Sequence, residues 1–161
     1  MMYPKIGLSE EQRAGVTRIL NIVLADEYVL YTKTRNFHWN VVGPHFHALH
    51  TFFEEQYTQL DTAIDEVAER VRAVGGNSIG TLAELREHAR LSEAPGEYSD
   101  ARAMVLTLLA DHEGLAECLR HDLEEAGERY GDVGTNDFLT GLLEQHEKMA
   151  WMLRATASHL D

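Results

Sequence analysis

Cysteine occurs once in this sequence, at Cys118, so no intrachain disulfide can form and no thiolate cage is available to a metal. That lone residue is expected to be small buried filling within a helix. Proline is nearly as rare, with three residues in 161, and stretches that alternate polar and apolar are missing, which leaves helices as the expected element. No run approaches the roughly 20 apolar residues of a membrane span. Met1 to Ser9 has neither the basic region nor the apolar stretch of a secretion signal, so a soluble, cytoplasmic protein is expected. Positive charge is scarce too: 14 Lys and Arg stand against 27 Asp and Glu, a formal net charge of -13. Such a balance repels phosphate and lipid head groups and attracts cations. A metal is therefore the expected partner, ahead of DNA or a membrane.

What is present is helical periodicity. The length suits one core, and residues 1–161 read as a single domain. Four long segments are separated by Gly, Pro and Asn breaks. The first runs from about Ser9 to Asn40, with Val16, Leu20, Val23 and Leu30 on one face, and Val41-Val42-Gly43-Pro44 ends it. The second runs from about His45 to Val74 and stops at Gly75-Gly76-Asn77, where glycine supplies a left-handed cap. Its stripe is Phe46, Phe53, Tyr57, Leu60, Ile64, Val67, Val71 and Val74. Thr81 to His88 is read as one short helix, and Pro95-Gly96 precedes the third long segment, about Asp100 to Ala126, with Val105, Leu108, His112, Leu115 and Leu119 on its seam. Gly131 to Gly134 separates it from the fourth, about Thr135 to His159, with Leu139, Leu142, His146, Met149 and Leu153. The expected fold is an all-α four-helix bundle with a short helix between helices two and three.

The second segment carries another stripe. At 100° per residue, His50, Glu54, Asp61, Asp65 and Glu69 project within about 100° of one another, roughly a quarter turn from the apolar seam. His50 with Glu54, and Asp65 with Glu69, are i,i+4 pairs whose side chains can reach one ion. Nitrogen with carboxylate ligation suits iron. Yet His50 and Asp65 are 15 residues apart, about 22 Å along one helix, so each pair alone is an incomplete shell. A twofold axis crossing the helix near residue 58 or 59 would set the pairs of two antiparallel copies against each other, giving two identical sites. The usual di-iron bundle instead uses Glu-x-x-His on two of its helices. That motif is absent here, which favours an interface site.

Asn36-Phe37-His38-Trp39-Asn40-Val41-Val42-Gly43-Pro44, then Phe46 and Leu49-His50, then Asp65-Glu66-Val67-Ala68-Glu69-Arg70, closely resemble the signature of the Dps family of mini-ferritins. Gly131-Asp132, Gly134-Thr135, Asp137 and Trp151-Met152-Leu153-Arg154-Ala155 extend the resemblance over nearly the whole chain. The resemblance implies a ferritin-like bundle and a ferroxidase centre at a dimer interface. His38 and His50 would come from one subunit, Asp65 and Glu69 from its mate, with Glu54 as a further carboxylate ligand and Glu69 bridging two irons. It also implies a homo-oligomer, a dodecamer with a hollow interior, in which ferrous iron is oxidised preferentially by hydrogen peroxide and kept as a ferric mineral core. Trp39 would pack beside the centre and absorb oxidising equivalents, or else be a core aromatic at the helix end.

Weaker signals complete the reading. Asp132 and Asp137 flank the start of the last helix, where acids cap a helix and where the resemblance places a pore for iron. Glu55 would face the cavity and nucleate mineral, or be plain surface. His45 and His47 are expected to be exposed at a helix start, and His112 and His146 to meet as a hydrogen-bonded core pair. DNA compaction, the main rival function, needs basic tails. Here the first fifteen residues hold only Lys5 and Arg13 as bases, and the end, Ser158-His159-Leu160-Asp161, holds no Lys or Arg, so direct DNA binding is expected to be weak. A cage without chemistry is the second rival, and intact His38, His50, Asp65 and Glu69 argue against it.

Overall fold

A computed structural model of the chain describes residues 4–158 and 160, and the described residues contain helices and no strand. Helix α1 spans Glu10–Asn40, α2 Phe46–Ala73, the short α3 Leu82–His88, α4 Ala101–Glu124 and α5 Val133–Ala157. The starts follow side-chain caps. Ser9 and Gln12 form a reciprocal capping box on α1, Thr81 and Glu84 form another on α3, and Asp100 caps α4. Hydrogen bonds from three donors on Gly80 and Thr81 hold the Glu84 carboxyl below its ordinary range. The stop after α2 uses glycine as expected: Gly75 takes a φ of +91°, and the Gly75 and Gly76 amides return to the Arg72 and Val71 carbonyls.

Helix α1 packs along α2, and α4 along α5, closing a four-helix bundle with α3 lying against α1. The seams read from the sequence are buried in α1, α4 and α5. In α2, Phe53, Leu60, Val67, Val71 and Val74 are buried, Tyr57 and Ile64 are half-buried, and Phe46 is exposed in the single chain. Phe46 begins its helix beyond the reach of the core and lies instead 5.1 Å from the His50 ring. Cys118 is half-buried, not enclosed; burial first, and then its acidic neighbours, pushes its thiol upward against the pull of Arg90. Two apolar clusters fill the bundle, one around Val16, Leu20, Val67 and Leu139, the other around Leu30, Phe53, Leu108 and Leu153.

Two boundaries differ from the sequence reading. The α4 segment continues past Ala126 through a π-helical turn, Glu125–Arg129, and α5 begins at Val133 with Asp132 as its cap, two residues before Thr135. The cause is local. Asn136 reaches back to the Leu123 carbonyl, and Gly131, at φ +65°, lets the Asp132 amide return six residues to the Ala126 carbonyl.

Helix glycines separate packing from propensity. A Cβ on Gly15 would overlap the Tyr130 ring, whereas one on Gly114 or Gly141 meets nothing. Helix propensity favours Ala over Gly by about 1 kcal/mol, and overpacking costs about 1–3 kcal/mol. Gly114→Ala and Gly141→Ala are therefore expected to raise the urea midpoint, and Gly15→Ala to lower it despite its better helix former. Equal shifts at the three positions would show that the Tyr130 contact does not matter.

Candidate metal centre

The imidazole half of the site forms where α1 ends and α2 begins. Gly43, at φ +112°, turns the chain between them, and the Phe46 amide closes the turn on the Gly43 carbonyl at 3.0 Å. His38 Nδ1 lies 2.7 Å from the His50 carbonyl oxygen, and His50 Nδ1 lies 2.8 Å from that of His38. A carbonyl only accepts, so each Nδ1 carries the hydrogen, and in the neutral ring the lone pair is on Nε2. The rings stack at 3.8 Å, 19° from parallel. His38 sits in the last turn of α1, where carbonyls lack helical donors, and His50 supplies the missing one. Tautomer and ring angle are thus set before any ion arrives, as in metal-bound histidines oriented from behind.

Tyr57 meets the His38 ring edge-on at 5.2 Å, and the Arg35 guanidinium lies over the Tyr57, Tyr31 and Trp39 rings at 5.8, 5.7 and 5.1 Å. Trp39 itself is 63% exposed in the single chain, so it is not a core aromatic. Glu54 stands one turn beyond His50 and is exposed, as are its neighbour Glu55 and, farther along, Asp61, Asp65 and Glu69. Because α2 is unbroken from Phe46 to Ala73, the His50 and Asp65 ends of the stripe remain about 22 Å apart. Among the described residues no three His, Cys, Asp or Glu side chains converge to hold an ion. One chain therefore displays two separated half-shells.

Asp132 is buried. Its carboxylate accepts hydrogen bonds from the Thr135 amide at 3.0 Å and the Thr135 hydroxyl at 2.6 Å, and pairs with Arg70 at 3.3 Å. Arg70 also donates to the Thr135 hydroxyl, tying α2 to the start of α5. Capping is thus the role the single chain displays for Asp132, while Asp137 is exposed. His45 and His47 are exposed at the start of α2, as expected.

Sequence reasoning did not single out Arg35, Arg70 or Glu27. Tyr31, Arg35 and Trp39 follow at four-residue steps, a legible signal. Glu27 follows Val16, Leu20 and Val23 at seam spacing and precedes Leu30, so an acid at a seam position was the clue. It is fully buried and 2.6 Å from His146, whose other ring nitrogen meets His112 at 2.8 Å. The expected core pair is therefore a triad.

Residues 17–161 match the family described as Ferritin, Ferritin-like domain. The chain is 49% identical over 150 residues to an uncharacterized low temperature-induced protein of Nostoc sp., covering 93% of this chain and 84% of that one. It is 44% identical over 141 residues to DNA protection during starvation protein 2 of Bacillus anthracis, covering 87% and 94%. Among solved structures, the Dps protein of Vibrio cholerae O1, a member of a broad superfamily of ferritin-like diiron-carboxylate proteins, superimposes with a TM-score of 0.87 at 33% identity, covering 96% of both chains. This kinship supports iron storage in general and iron binding as its chemistry. The bundle, the crossover helix and the His38–His50 turn together with these matches make the chain a member of the Dps family of ferritin-like proteins.

Proposed function

We propose that this chain is a ferroxidase subunit whose centres are completed across a twofold interface. His38 and His50 of one chain face Asp65 and Glu69 of its mate; Glu54 adds a carboxylate, and Glu69 bridges the two ions. The observation that supports this reading best is the reciprocal His38–His50 lock. Two tautomer-fixed nitrogen donors stand together with no described carboxylate completing a three-ligand group around them, while the Asp65–Glu69 pair lies farther along α2.

Ferrous iron is the substrate. Imidazole and carboxylate oxygens bind it, and the carboxylates stabilise the rise in charge on oxidation. Two ferrous ions each release one electron to a single hydrogen peroxide. The O–O bond breaks, two protons are taken up, and both oxygens leave as water, so no hydroxyl radical is freed. The Arg35 guanidinium keeps the Tyr57 ring against His38, and Trp39 stands close by as a reductant for misdirected oxidising equivalents. Ferric product is stored as mineral in the hollow of a dodecamer, with Glu55 as a nucleation site and Asp132 and Asp137 at a pore. The compartment is the cytoplasm. No described helix is long and apolar enough to cross a membrane.

Anaerobic ferrous iron, added at two ions per site and followed by peroxide, tests the reading. The expected stoichiometry is one peroxide consumed per two irons, with little hydroxyl radical caught by a spin trap; consumption near one per iron would reject paired oxidation. A gel shift addresses the rival role carried in the name of the Bacillus anthracis relative. With a net charge of -13, direct binding to DNA is expected to be absent at physiological salt, and a tight complex there would favour DNA compaction.

A further inference from the structure

Near the middle of α1, α4 and α5 lies a polar layer outside the site described above. Glu27 of α1, His146 of α5 and His112 of α4 form a chain: Glu27 Oε1 is 2.6 Å from His146 Nε2, and His146 Nδ1 is 2.8 Å from His112 Nδ1. All three are buried. We infer that Glu27, His146 and His112 hold their protons as one charge-neutral unit, and that acid, by driving a further proton onto this unit, opens the packing of α1 against α4 and α5.

Counting hydrogens supports this. The Nδ1–Nδ1 contact needs one hydrogen and the Nε2–Oε1 contact needs another. A third on His112 Nε2 brings the sum of the three groups to zero, and with only two the unit keeps a buried negative charge, which is costly. His112 Nε2 and Glu27 Oε2 are the two ends of the chain, and both are buried without a hydrogen-bond partner in the protein. A fourth hydrogen has poor choices. On the second Nδ1 it would point two N–H groups at each other across 2.8 Å. On Glu27 Oε2 it leaves a net positive charge in the core.

Nothing nearby offsets that charge. The buried sets of α2, α4 and α5 contain no titratable side chain other than His112 and His146. The buried titratable groups of α1 besides Glu27 are Asp26, engaged by Arg90, and His38, bonded to His50. Asp111, next to His112, is paired with Lys33 at 2.7 Å. Burial, and then His146, accordingly hold the His112 imidazole well below its ordinary value. The sign follows from linkage. Above about pH 6.5 the three-hydrogen unit holds more protons than the same groups do in the unfolded chain; below it the two unfolded histidines bind more than the folded unit, so stability falls as pH drops further.

Hydrogen exchange by mass spectrometry on the intact, assembled protein tests this at pH 6.5 and 5.0, corrected for intrinsic rates. Peptides over residues 22–30, 108–116 and 142–150 are expected to lose protection roughly tenfold at the lower pH, about one and a half units below the unfolded histidine value. His112→Asn, whose amide oxygen accepts the His146 hydrogen but cannot be protonated, should lose none. No loss in the wild type, or equal loss in both proteins, overturns the proposal. Exchange of the imidazole carbon-bound hydrogen reports each histidine in the wild type, independently of how the variant folds. His112 is expected to show no step between pH 8 and 5.5, and a step near 6.5 with the core still protected would overturn the proposal equally.

Discussion

Assemblies of a His38→Ala/His50→Ala chain, and assemblies of an Asp65→Ala/Glu69→Ala chain, are each expected to oxidise ferrous iron at well under a hundredth of the wild-type rate. Even partners behind a metal ligand change affinity or activity 10–100-fold, and here half of the first ligand set is gone. Mixing the two chains should restore activity. In a mixed pair, one site receives wild-type histidines from one chain and wild-type carboxylates from the other, while the second site loses both halves. With random mixing about half the interfaces are mixed, so roughly a quarter of the sites return under twofold geometry. The separation of the two half-shells along α2 motivates the experiment, since no described cluster of ligands closes within one chain. A centre inside the subunit predicts no recovery, because each chain still lacks its own ligands. Verified mixed assemblies that stay inactive with peroxide would sink the shared-site reading and leave the bundle untouched.

The second large effect is on stability. Asp26→Ala is expected to cost about 3–5 kcal/mol, the range for breaking one half of a buried ion pair. Asp26 is fully buried, and its carboxylate accepts hydrogen bonds from the Arg90 amide at 2.6 Å, the Leu91 amide at 3.2 Å and Arg90 Nε at 2.7 Å. Its loss strands two backbone donors and frees the guanidinium that also grips Asp122 at 2.8 Å, so the connection from α3 to α4 loses its anchor. Burial pushes the Asp26 carboxyl upward even against Arg90. The ionised pair is therefore a poor source of net stability at neutral pH, yet removing Asp26 is costly because the part-buried Arg90 and Leu91 amides lose their acceptor. Arg120→Ala and Arg154→Ala, whose pairs with Glu147 and Glu113 lie on the surface, should each change stability by less than about 1 kcal/mol. Urea midpoints at fixed protein concentration measure the series. An Asp26→Ala protein as stable as Arg120→Ala would show that the anchor carries little.

Helix positions, seams and caps were legible in the residues alone, because they depend on spacing within a turn or two of chain. Val16, Leu20 and Leu30, or Leu139, Met149 and Leu153, announce their face by period. So do the two i,i+4 pairs of the second stripe. The exceptions mark where distant chain intervenes: the π turn at Glu125–Arg129 follows from Asn136 reaching Leu123, and Phe46 escapes its seam. Sequence alone thus determined a four-helix bundle, its family resemblance and half-sites too far apart to meet in one helix. Only the tertiary structure decided that His38 and His50, twelve residues apart, lock each other's tautomers. It alone buried Asp132 under Arg70, and it alone turned Glu27, one acid among many, into the third member of a core triad. The physical reason is that periodicity names the face a residue occupies, while protonation and hydrogen-bond partners depend on which other helix that face meets.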